Sequence, residues 1–481
     1  MKLSTILNAI LITQATAALI GSNVIKNNAR FPSAPIEIAN LKNAKTSDED
    51  SHSSNNTDSS DSSESSNEES KSEQEEQEEQ ASVPIPIQCS RGDYEIKNVA
   101  ELEKLYECDD IIGSIHITNF LGPTIDTGSI KSISGDLTVT NAANLVRINV
   151  PNLAVIGGSF SLRELTSLTA VHAPHLNHVG SIDWKVLPIL STVSFETGIK
   201  KITSITISDT SLIGFSGFDV DVLKVLNLNN NRFLDSINSN VKGIQEKLAI
   251  SANAKGVTVN FPELEYANNI TIRDVSSLNL SRVEKVNASM ELISNQFQSL
   301  KLPKLRNVGG TLSLIGNANL KDVEFNNIDE VGGGLMVVNN SNIDNINFFP
   351  KLTSIGGAIE LIGQMKEASF SKLRLVKGSA KISSVYDSFD CSKWTRGNEE
   401  TGSIVRGGKI SCINGKKKHD LDYNENGEIL DESITIIEDE NKNSNKLKAG
   451  GSTSDAPAQF FLSTTVLVGM IVASALQLLF F

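Results

Sequence analysis

The chain has 481 residues and a formal net charge of −14 at pH 7, a length that suits several domains or one fold that grows by adding repeats. Residues 47–80 hold 13 Asp or Glu and one Lys, so the rest of the chain is close to neutral. With no excess of Lys and Arg to neutralise phosphates, a nucleic-acid binder that depends on a basic surface is excluded.

Residues 1–17 have the features of a secretory signal peptide. Lys2 precedes a mainly apolar run over residues 3–12, and the small-x-small sequence Ala15-Thr16-Ala17 offers a cleavage site. The alternative is a buried N-terminal helix, but the run lacks an amphipathic period. We therefore expect the chain to be secreted.

Residues 18–88 are predicted to be a disordered segment. Its acidic tract, residues 47–80, contains 12 Ser and 13 acidic residues and no aliphatic residue, so it cannot bury apolar surface and its charges repel one another. A solvated tail is the simplest interpretation. An O-mannosylated spacer and a cation-holding segment are the alternatives.

The four cysteines form two local pairs in the sequence. A secreted chain enters an oxidising compartment, and four cysteines allow three disulfide connectivities. We favour the two short loops, Cys89 with Cys108 and Cys391 with Cys412. Neither pair has the Cys-x-x-Cys spacing typical of zinc sites. We predict no metal site and no cofactor.

Sequons of the form Asn-x-Ser/Thr mark candidate N-glycosylation sites. This acceptor pattern matters in a secreted chain, where several sequons are expected to carry glycans. The sequons lie at Asn55, Asn269, Asn279, Asn287 and Asn339.

Between the cysteine pairs the sequence repeats. The template Pro-x-Leu-x-x-[Ile/Val]-Gly-Gly begins at Pro151, Pro303 and Pro350, and its Leu position recurs in steps of 19 to 24 residues. The predicted Leu column is Ile130, Leu153, Leu176, Ile199, Val222, Ile244, Leu264, Val283, Leu305, Ile328, Leu352 and Leu373. A second apolar column follows three residues later, including Val225, with a lapse at Lys247. An internal repeat of about 22 residues is typical of a solenoid.

Each repeat contains a short stretch of period-two apolar residues after the glycine pair, which predicts a strand. Asn often follows this strand, as at Asn141, Asn230, Asn295, Asn317 and Asn340, where its side chain can bond to the turn backbone. We therefore predict a mainly β fold over residues 89–413, a right-handed parallel β-solenoid. Disulfide-stapled caps at 89–112 and 389–413, the first with a helix between Asn98 and Tyr106, would cover its two ends.

The C-terminal part is predicted to be a stalk and an anchor signal. Residues 414–450 are mixed-charge and are expected to be disordered. Residues 460–481 carry no charge, and the small residues 450–452 with a polar spacer precede them, the layout of a glycosylphosphatidylinositol (GPI) signal. Gly450 is the predicted attachment residue and 451–481 the removed propeptide. A transmembrane anchor without a cytoplasmic tail is the alternative.

The enzyme hypothesis requires carboxylates stacked on adjacent coils to transfer protons. Acidic residues in the repeats are scattered, as at Glu164, Asp183, Asp209 and Glu291, and the repeats contain a single Trp, Trp184. Sugar-active sites usually add aromatic platforms. The sequence therefore favours a non-catalytic protein over a polysaccharide-active β-helix enzyme.

Two segments carry a family resemblance. Cys108-Asp-Asp-Ile-Ile-Gly-Ser-Ile-His-Ile resembles the opening of receptor L domains, and Phe389-Asp-Cys-Ser-Lys-Trp followed by Ile404-Val-Arg-Gly-Gly-Lys-Ile-Ser-Cys resembles the fungal lipid-anchored extracellular-matrix and sporulation-specific glycoproteins. Unlike that family's pattern, the Ser-rich tract here precedes the fold and does not follow it.

The resemblance implies a GPI-anchored surface glycoprotein that supports cell-wall organisation, integrity and morphogenesis, at the plasma membrane or in the wall. Its partners would be the outer leaflet, through the lipid, and wall glucan or mannoprotein. The resemblance carries over no catalytic residue. The alternative is a receptor-like ectodomain that binds a secreted protein or glycan along a sheet face.

Overall fold

The computed structural model describes residues 87–395, 403–406, 408–424 and 429–437. In this part the chain winds through about 13 turns of a β-solenoid. Each coil contributes strands that pair in parallel with those of the coils before and after it. The predicted parallel β-solenoid is confirmed.

One side of the solenoid, which we call the long sheet, carries the longest strands. Their inward and outward residues alternate, as in Leu137–Thr140, where Leu137 and Val139 are buried. In order along the axis the strands are β1 Ser90–Ile96, β2 Asp110–Thr118, β5 Leu137–Thr140, β7 Val155–Arg163, β9 His178–Leu187, β11 Ser204–Thr210, β13 Val222–Asn229, β15 Gly243–Ser251, β17 Tyr266–Arg273, β20 Met290–Ile293, β23 Leu312–Ile315, β26 Leu335–Val338, β29 Ile359–Gly363, β32 Ala380–Ser384 and β33 Lys409–Asn414.

Shorter strands complete each coil. Two-residue corner strands end at the second apolar column, directly before the position that the glycine pair occupies in the template, and the remaining strands form a separate side, the short sheets. The corner strands are β4 Ser132–Ile133, β19 Lys285–Val286, β22 Asn307–Val308, β25 Glu330–Val331, β28 Ser354–Ile355 and β31 Leu375–Val376. The short-sheet strands are β3 Thr124–Asp126, β6 Arg147–Asn149, β8 Ala170–His172, β10 Thr192–Ser194, β12 Gly214–Phe215, β14 Ser236–Asn238, β16 Thr258–Asn260, β18 Ser277–Asn279, β21 Ser299–Lys301, β24 Asp322–Glu324, β27 Asn345–Ile346 and β30 Glu367–Ala368.

The predicted apolar columns form the core, except in two adjacent coils. Leu153, Leu176 and Leu305 are fully buried, as predicted, but Val222 is 38% exposed and its neighbour Leu223 is buried. Leu223 pairs in register with Ile244, so both belong to the second column. The assignments of Ile244 to the Leu column and of Val225 to the second column are therefore also wrong, since Val225 pairs with the exposed Lys247. The coil from Ile202 to Leu223 has 21 residues, two fewer than the coils before it, and a template of fixed spacing misassigns it.

Asparagine side chains connect neighbouring coils at the corner after the long sheet. Asn295, Asn317 and Asn340 are buried there, and each donates to a backbone carbonyl of the preceding coil. This set, which we call the asparagine ladder, also contains Asn231 and Asn253. Asn141 and Asn230 instead occupy the preceding corner position, where φ is positive. The predicted role of Asn in these turns therefore divides between two adjacent positions.

Disulfides close both ends, joining Cys89 to Cys108 and Cys391 to Cys412 with Cα atoms 5.8 and 5.9 Å apart. At the first end lie a 3₁₀ turn, Ile87–Cys89, and helix α1, Val99–Glu103. Asn98 caps α1 by accepting a hydrogen bond from the backbone N–H of Glu101. The predicted helix is confirmed.

At the second end, helix α2 spans Ser392–Thr395, and its Trp394 packs edge-to-face on Phe370 at 5.7 Å. Two further strands follow, β34 Lys417–Tyr423, which pairs antiparallel with β33, and β35 Ile429–Ile436, which pairs antiparallel with β34. The prediction that the chain is disordered from residue 414 is therefore wrong for these strands. Leu421 and Tyr423 are buried in the core, which anchors β34 to the last coil.

Five of the predicted features lie outside the described ranges: the signal peptide 1–17, the acidic tract 47–80, Asn55, Gly450 and the propeptide 451–481. In the described ranges, no helix has both the length and the apolar character needed to cross a bilayer.

Candidate functional surface

The outer face of the long sheet is the most extended regular surface of the solenoid. Successive coils present side chains there in two rows, fixed by the parallel register. The first row is His116, Thr138, Ser161, Asp183, Thr206, Asn227, Ala249, Thr271, Glu291, Ser313, Met336, Glu360, Lys381 and Ser411. Hydroxyl and amide groups dominate its first half, so this part can hydrogen-bond to an extended polar chain.

The second row changes chemistry along the axis. Its early coils carry Arg163 and Lys185, whereas four consecutive later coils place an aliphatic side chain at the equivalent position. These later residues are Ile293, Ile315, Val338 and Ile362. The outer face is therefore polar in its first half and partly apolar in its second.

Asp183 and Glu291, the two acidic residues of this face that the sequence singles out, do not form a proton-transfer pair. Both carboxylate oxygens of Asp183 are engaged, one by Arg163 and the other by Lys185 Nζ at 2.9 Å. Glu291 lies on the same row five strand pairings away, which is about 24 Å at the usual strand spacing. Glycosidase carboxylates are about 5 to 10 Å apart.

The other acidic residues considered from the sequence occupy corners. Glu164 and Asp209 both have positive φ, near 56°, and Asp209 accepts a hydrogen bond from the side chain of Asn230 in the next coil. They therefore act in the turns that join the long sheet to the short sheets. The four carboxylates do not converge on one site.

Histidines and other metal-binding side chains are likewise dispersed. Burial, together with the charge of Lys201, lowers the pKa of His178 below its usual value, so this imidazole is neutral at pH 7. Within the residues that the structure describes, no group of three or more His, Cys, Asp or Glu could hold a metal ion.

The four described sequons differ in their side-chain environment. Asn287 and Asn339 are exposed, and within the described ranges their side-chain amides make no hydrogen bond. Asn279 is half-buried, and its Nδ2 donates to Asn260 Oδ1 of the preceding coil at 2.7 Å. Asn269, also half-buried, accepts from the backbone N–H of Ser289 at 3.2 Å. Two sequons are thus free for modification and two take part in contacts between coils.

One cluster of rings does not follow from the repeat pattern of the sequence. Phe195, Phe215 and Phe218 gather beside Trp184, where the short sheets are interrupted. These phenylalanines come from segments that fit the repeat template poorly, so they belong to none of the predicted apolar columns. The stretch from Trp184 to Phe218 is enriched in aromatic residues, in a chain that is otherwise poor in them. This enrichment could have indicated the cluster from the sequence.

No protein-family model and no solved structure matches the chain. It is 41% identical over 367 residues to sporulation-specific protein 22 of Saccharomyces cerevisiae, over 76% of this chain and 79% of that protein. It is 32% identical over 320 residues to cell wall mannoprotein PST1 of S. cerevisiae, over 66% and 70%.

A third relative is a cell surface GPI-anchored protein of Arthroderma benhamiae, 30% identical over 328 residues that span 68% of this chain and 83% of that protein. Matches of this extent at 30% identity or more show common descent along most of both chains. The chain belongs to the fungal family of cell-wall and cell-surface glycoproteins that its caps and repeats resemble.

Proposed function

We propose that the chain is a GPI-anchored, non-catalytic glycoprotein of the fungal cell surface that supports the organisation and integrity of the wall. The observation that carries this proposal is the extended identity to a cell wall mannoprotein and to a GPI-anchored surface protein. The dispersed carboxylates of the outer face are consistent with a role that involves no bond cleavage.

The outer face of the long sheet suits a scaffold or binding role at the wall. Thr138 and Thr206 present partly exposed hydroxyl groups on the first row, and strands stack about 4.8 Å apart. An extended wall glucan or the glycans of a mannoprotein offer hydroxyl groups at many points along their length. We take these polymers as the partners, bound along the axis of the solenoid.

The anchor is proposed to attach at Gly450. The described fold ends at residue 437, so a short spacer would separate the solenoid from the lipid of the outer leaflet. With no cytoplasmic segment such a protein cannot signal across the membrane directly. Its effect would have to come from what it holds or organises outside the cell.

Deletion of the gene in its fungal host tests the wall role. Loss of the protein should increase sensitivity to chitin- and glucan-binding dyes, and a tagged copy of the gene should restore resistance. A deletion strain with normal dye resistance and a normal wall would contradict the proposal and favour a ligand-binding ectodomain.

The anchor is tested separately on the tagged protein. Phosphatidylinositol-specific phospholipase should release a membrane-held form and glucanase a wall-held form, and a chain truncated after residue 449 should appear in the medium. Retention of the intact chain after both treatments, together with retention of the truncated chain, would exclude the GPI anchor.

Glycan occupancy should differ among the sequons. A glycan on Nδ2 replaces an amide hydrogen and holds the side chain in solvent, which costs nothing at Asn287 and Asn339 but removes the bond from Asn279 to Asn260. We expect high occupancy at Asn287 and Asn339 and low occupancy at Asn269 and Asn279. Peptide mapping after enzymatic deglycosylation in heavy-oxygen water measures each site.

The comparison of Asn279 with Asn287 is internally controlled, since both sequons lie in one chain eight residues apart. Equal occupancy of the two would show that contacts between coils do not limit glycan addition. In that case the half-buried sequons must be accommodated by local opening of the coils.

A further inference from the structure

The last strand of the long sheet has an unpaired edge. Strand β35 pairs with β34 along one side, and within the residues that the structure describes no strand pairs with its other side. All eight residues of β35 are exposed. The backbone N–H and C=O groups of its outer side are therefore open to another strand.

The side chains of this strand are apolar for so exposed an edge. The register with β34 places Ile434 and Ile436 on the same sheet face as the buried Leu421. The apolar face of the core thus continues onto β35, where it is exposed. Five aliphatic residues in or next to β35 are between 43% and 72% exposed: Ile429, Leu430, Ile434, Ile436 and Ile437. An apolar patch on an unpaired edge is typical of an interaction site.

The first end of the long sheet is protected. The pairing of β1 with β2 contains a register shift, and helix α1 and the 3₁₀ turn contact β1. The exposed side chains of β1 include Arg91, Asp93 and Glu95, whereas Tyr94 and Ile96 are buried. Charges and bulges are the usual means by which an edge strand avoids pairing. Since only β35 is unprotected, pairing of like ends is favoured over a head-to-tail filament.

The charges of the last two strands indicate the orientation of such a pair. Lys416 and Lys417 lie beside the last residues of β35, whereas Asp431 and Glu432 lie in its first half. Two antiparallel β35 strands keep their acidic residues apart and bring them near the lysines of the other copy. A parallel pair would place acidic residues side by side, which is unfavourable.

We propose that two copies of this chain pair through β35, antiparallel and about a two-fold axis, so that their long sheets join into one. With Ile434 on the axis, Ile434 faces its counterpart, and Ile436 of each copy faces Glu432 of the other. Lys417 then lies two strand spacings, about 10 Å, from Glu432 of the other copy, a distance that two extended side chains can bridge. The pair leaves the outer face of the long sheet open and does not depend on the proposed wall role.

The mass of the protein as a function of concentration tests the pairing. The protein is the secreted chain truncated after residue 449, which retains every described residue, and sedimentation equilibrium measures its mass. The mass should rise from that of one chain to that of two and then remain constant. The mass of one chain at every concentration would overturn the proposal and leave another segment of the chain, or a lipid surface, to cover β35. Growth beyond two copies would overturn it as well, since a two-fold pair leaves no further β35 edge.

Two variants locate the contact. Ile434→Lys should weaken association at least about tenfold, because the pair loses two buried isoleucines and gains two like charges at the axis. Leu121→Lys is the matched control: Leu121 is 75% exposed against 67% for Ile434, but it lies near the first end of the solenoid. The control should associate as the unmodified chain does.

Ile436→Lys takes the place of Ile434→Lys if the latter does not fold, as judged by circular dichroism. A folded β35 variant that associates as tightly as the unmodified chain would place the contact elsewhere and overturn the proposal. Equal weakening by Leu121→Lys would do the same.

Exchange of charges tests the antiparallel orientation. One variant combines Lys416→Glu with Lys417→Glu, and the other combines Asp431→Lys with Glu432→Lys. Each variant alone brings like charges together across the axis and should pair more weakly than the unmodified chain, whereas a mixture of the two should pair about as tightly as that chain. In a parallel pair the unmodified chain already opposes like charges, so single variants that pair as tightly as it does would overturn the antiparallel arrangement.

Discussion

Replacement of Asn317 by alanine is expected to lower the free energy of unfolding by about 4 kcal/mol, because two buried backbone groups lose their partners. Asn317 is fully buried. Its Oδ1 accepts from the backbone N–H of Asn295 at 2.9 Å, and its Nδ2 donates to the carbonyl of Leu292 at 2.9 Å. Alanine leaves both of these groups unsatisfied between coils. Urea denaturation of the secreted chain truncated after residue 449 measures the change.

Asn319 provides the matched control for this variant. It lies two residues further along the same turn, but it is exposed, and its Nδ2 donates to the carbonyl of Gln296 at 3.3 Å. Asn319→Ala should change the free energy of unfolding by less than about 0.5 kcal/mol. Equal effects of the two substitutions would mean that the asparagine ladder does not hold the coils together.

The aliphatic core was the part of the fold that could be predicted most fully from the sequence. Leu153, Leu176 and Leu305 recur at the same template position because every coil must bury the same inward position against its neighbours. The prediction failed at Val222, where a shorter coil shifts the register. A repeat of variable length keeps its inward positions by pairing with the coil before it, and that pairing is not visible in spacing alone.

The last two strands were not predicted because their signal is weak and non-local. β34 has polar side chains at most positions, and only Leu421 and Tyr423 face the core. Its position depends on pairing with β33, which in turn pairs with β32. A half-buried strand at the end of a sheet needs few apolar residues, so its composition resembles that of a disordered segment.

The candidate functional residues also divide into those that could be predicted from the sequence and those that could not. The cysteines and sequons could be found because a fixed chemistry requires a fixed residue pattern. The cluster of Phe195, Phe215 and Phe218 could not, since it arises where segments depart from the repeat and bring these rings together. Departures from the regular repeat are therefore the parts of the fold that the repeat pattern does not predict.

Replacement of Gly332 by alanine is expected to lower the free energy of unfolding by about 3 kcal/mol, because the added methyl group overlaps the backbone of the neighbouring coil. A Cβ atom at Gly332 would lie 2.3 Å from the carbonyl oxygen of Gly309. The next coil repeats this close approach, with a Cβ at Gly356 only 2.0 Å from the carbonyl oxygen of Gly332. A shift of the alanine at this position away from Gly309 would press its carbonyl oxygen against Gly356 in the next coil, so the coils must separate at this corner.

Gly256 provides the control, because a Cβ there would have no atom within 4 Å and its φ is not in the left-handed region. Gly256→Ala should leave stability unchanged or raise it by about 0.5 kcal/mol, since alanine restricts the unfolded chain. Thermal unfolding followed by circular dichroism compares the two variants. If Gly332→Ala unfolds at the same temperature as Gly256→Ala, the glycine pair does not set the spacing between coils, and its recurrence in the sequence would need another cause.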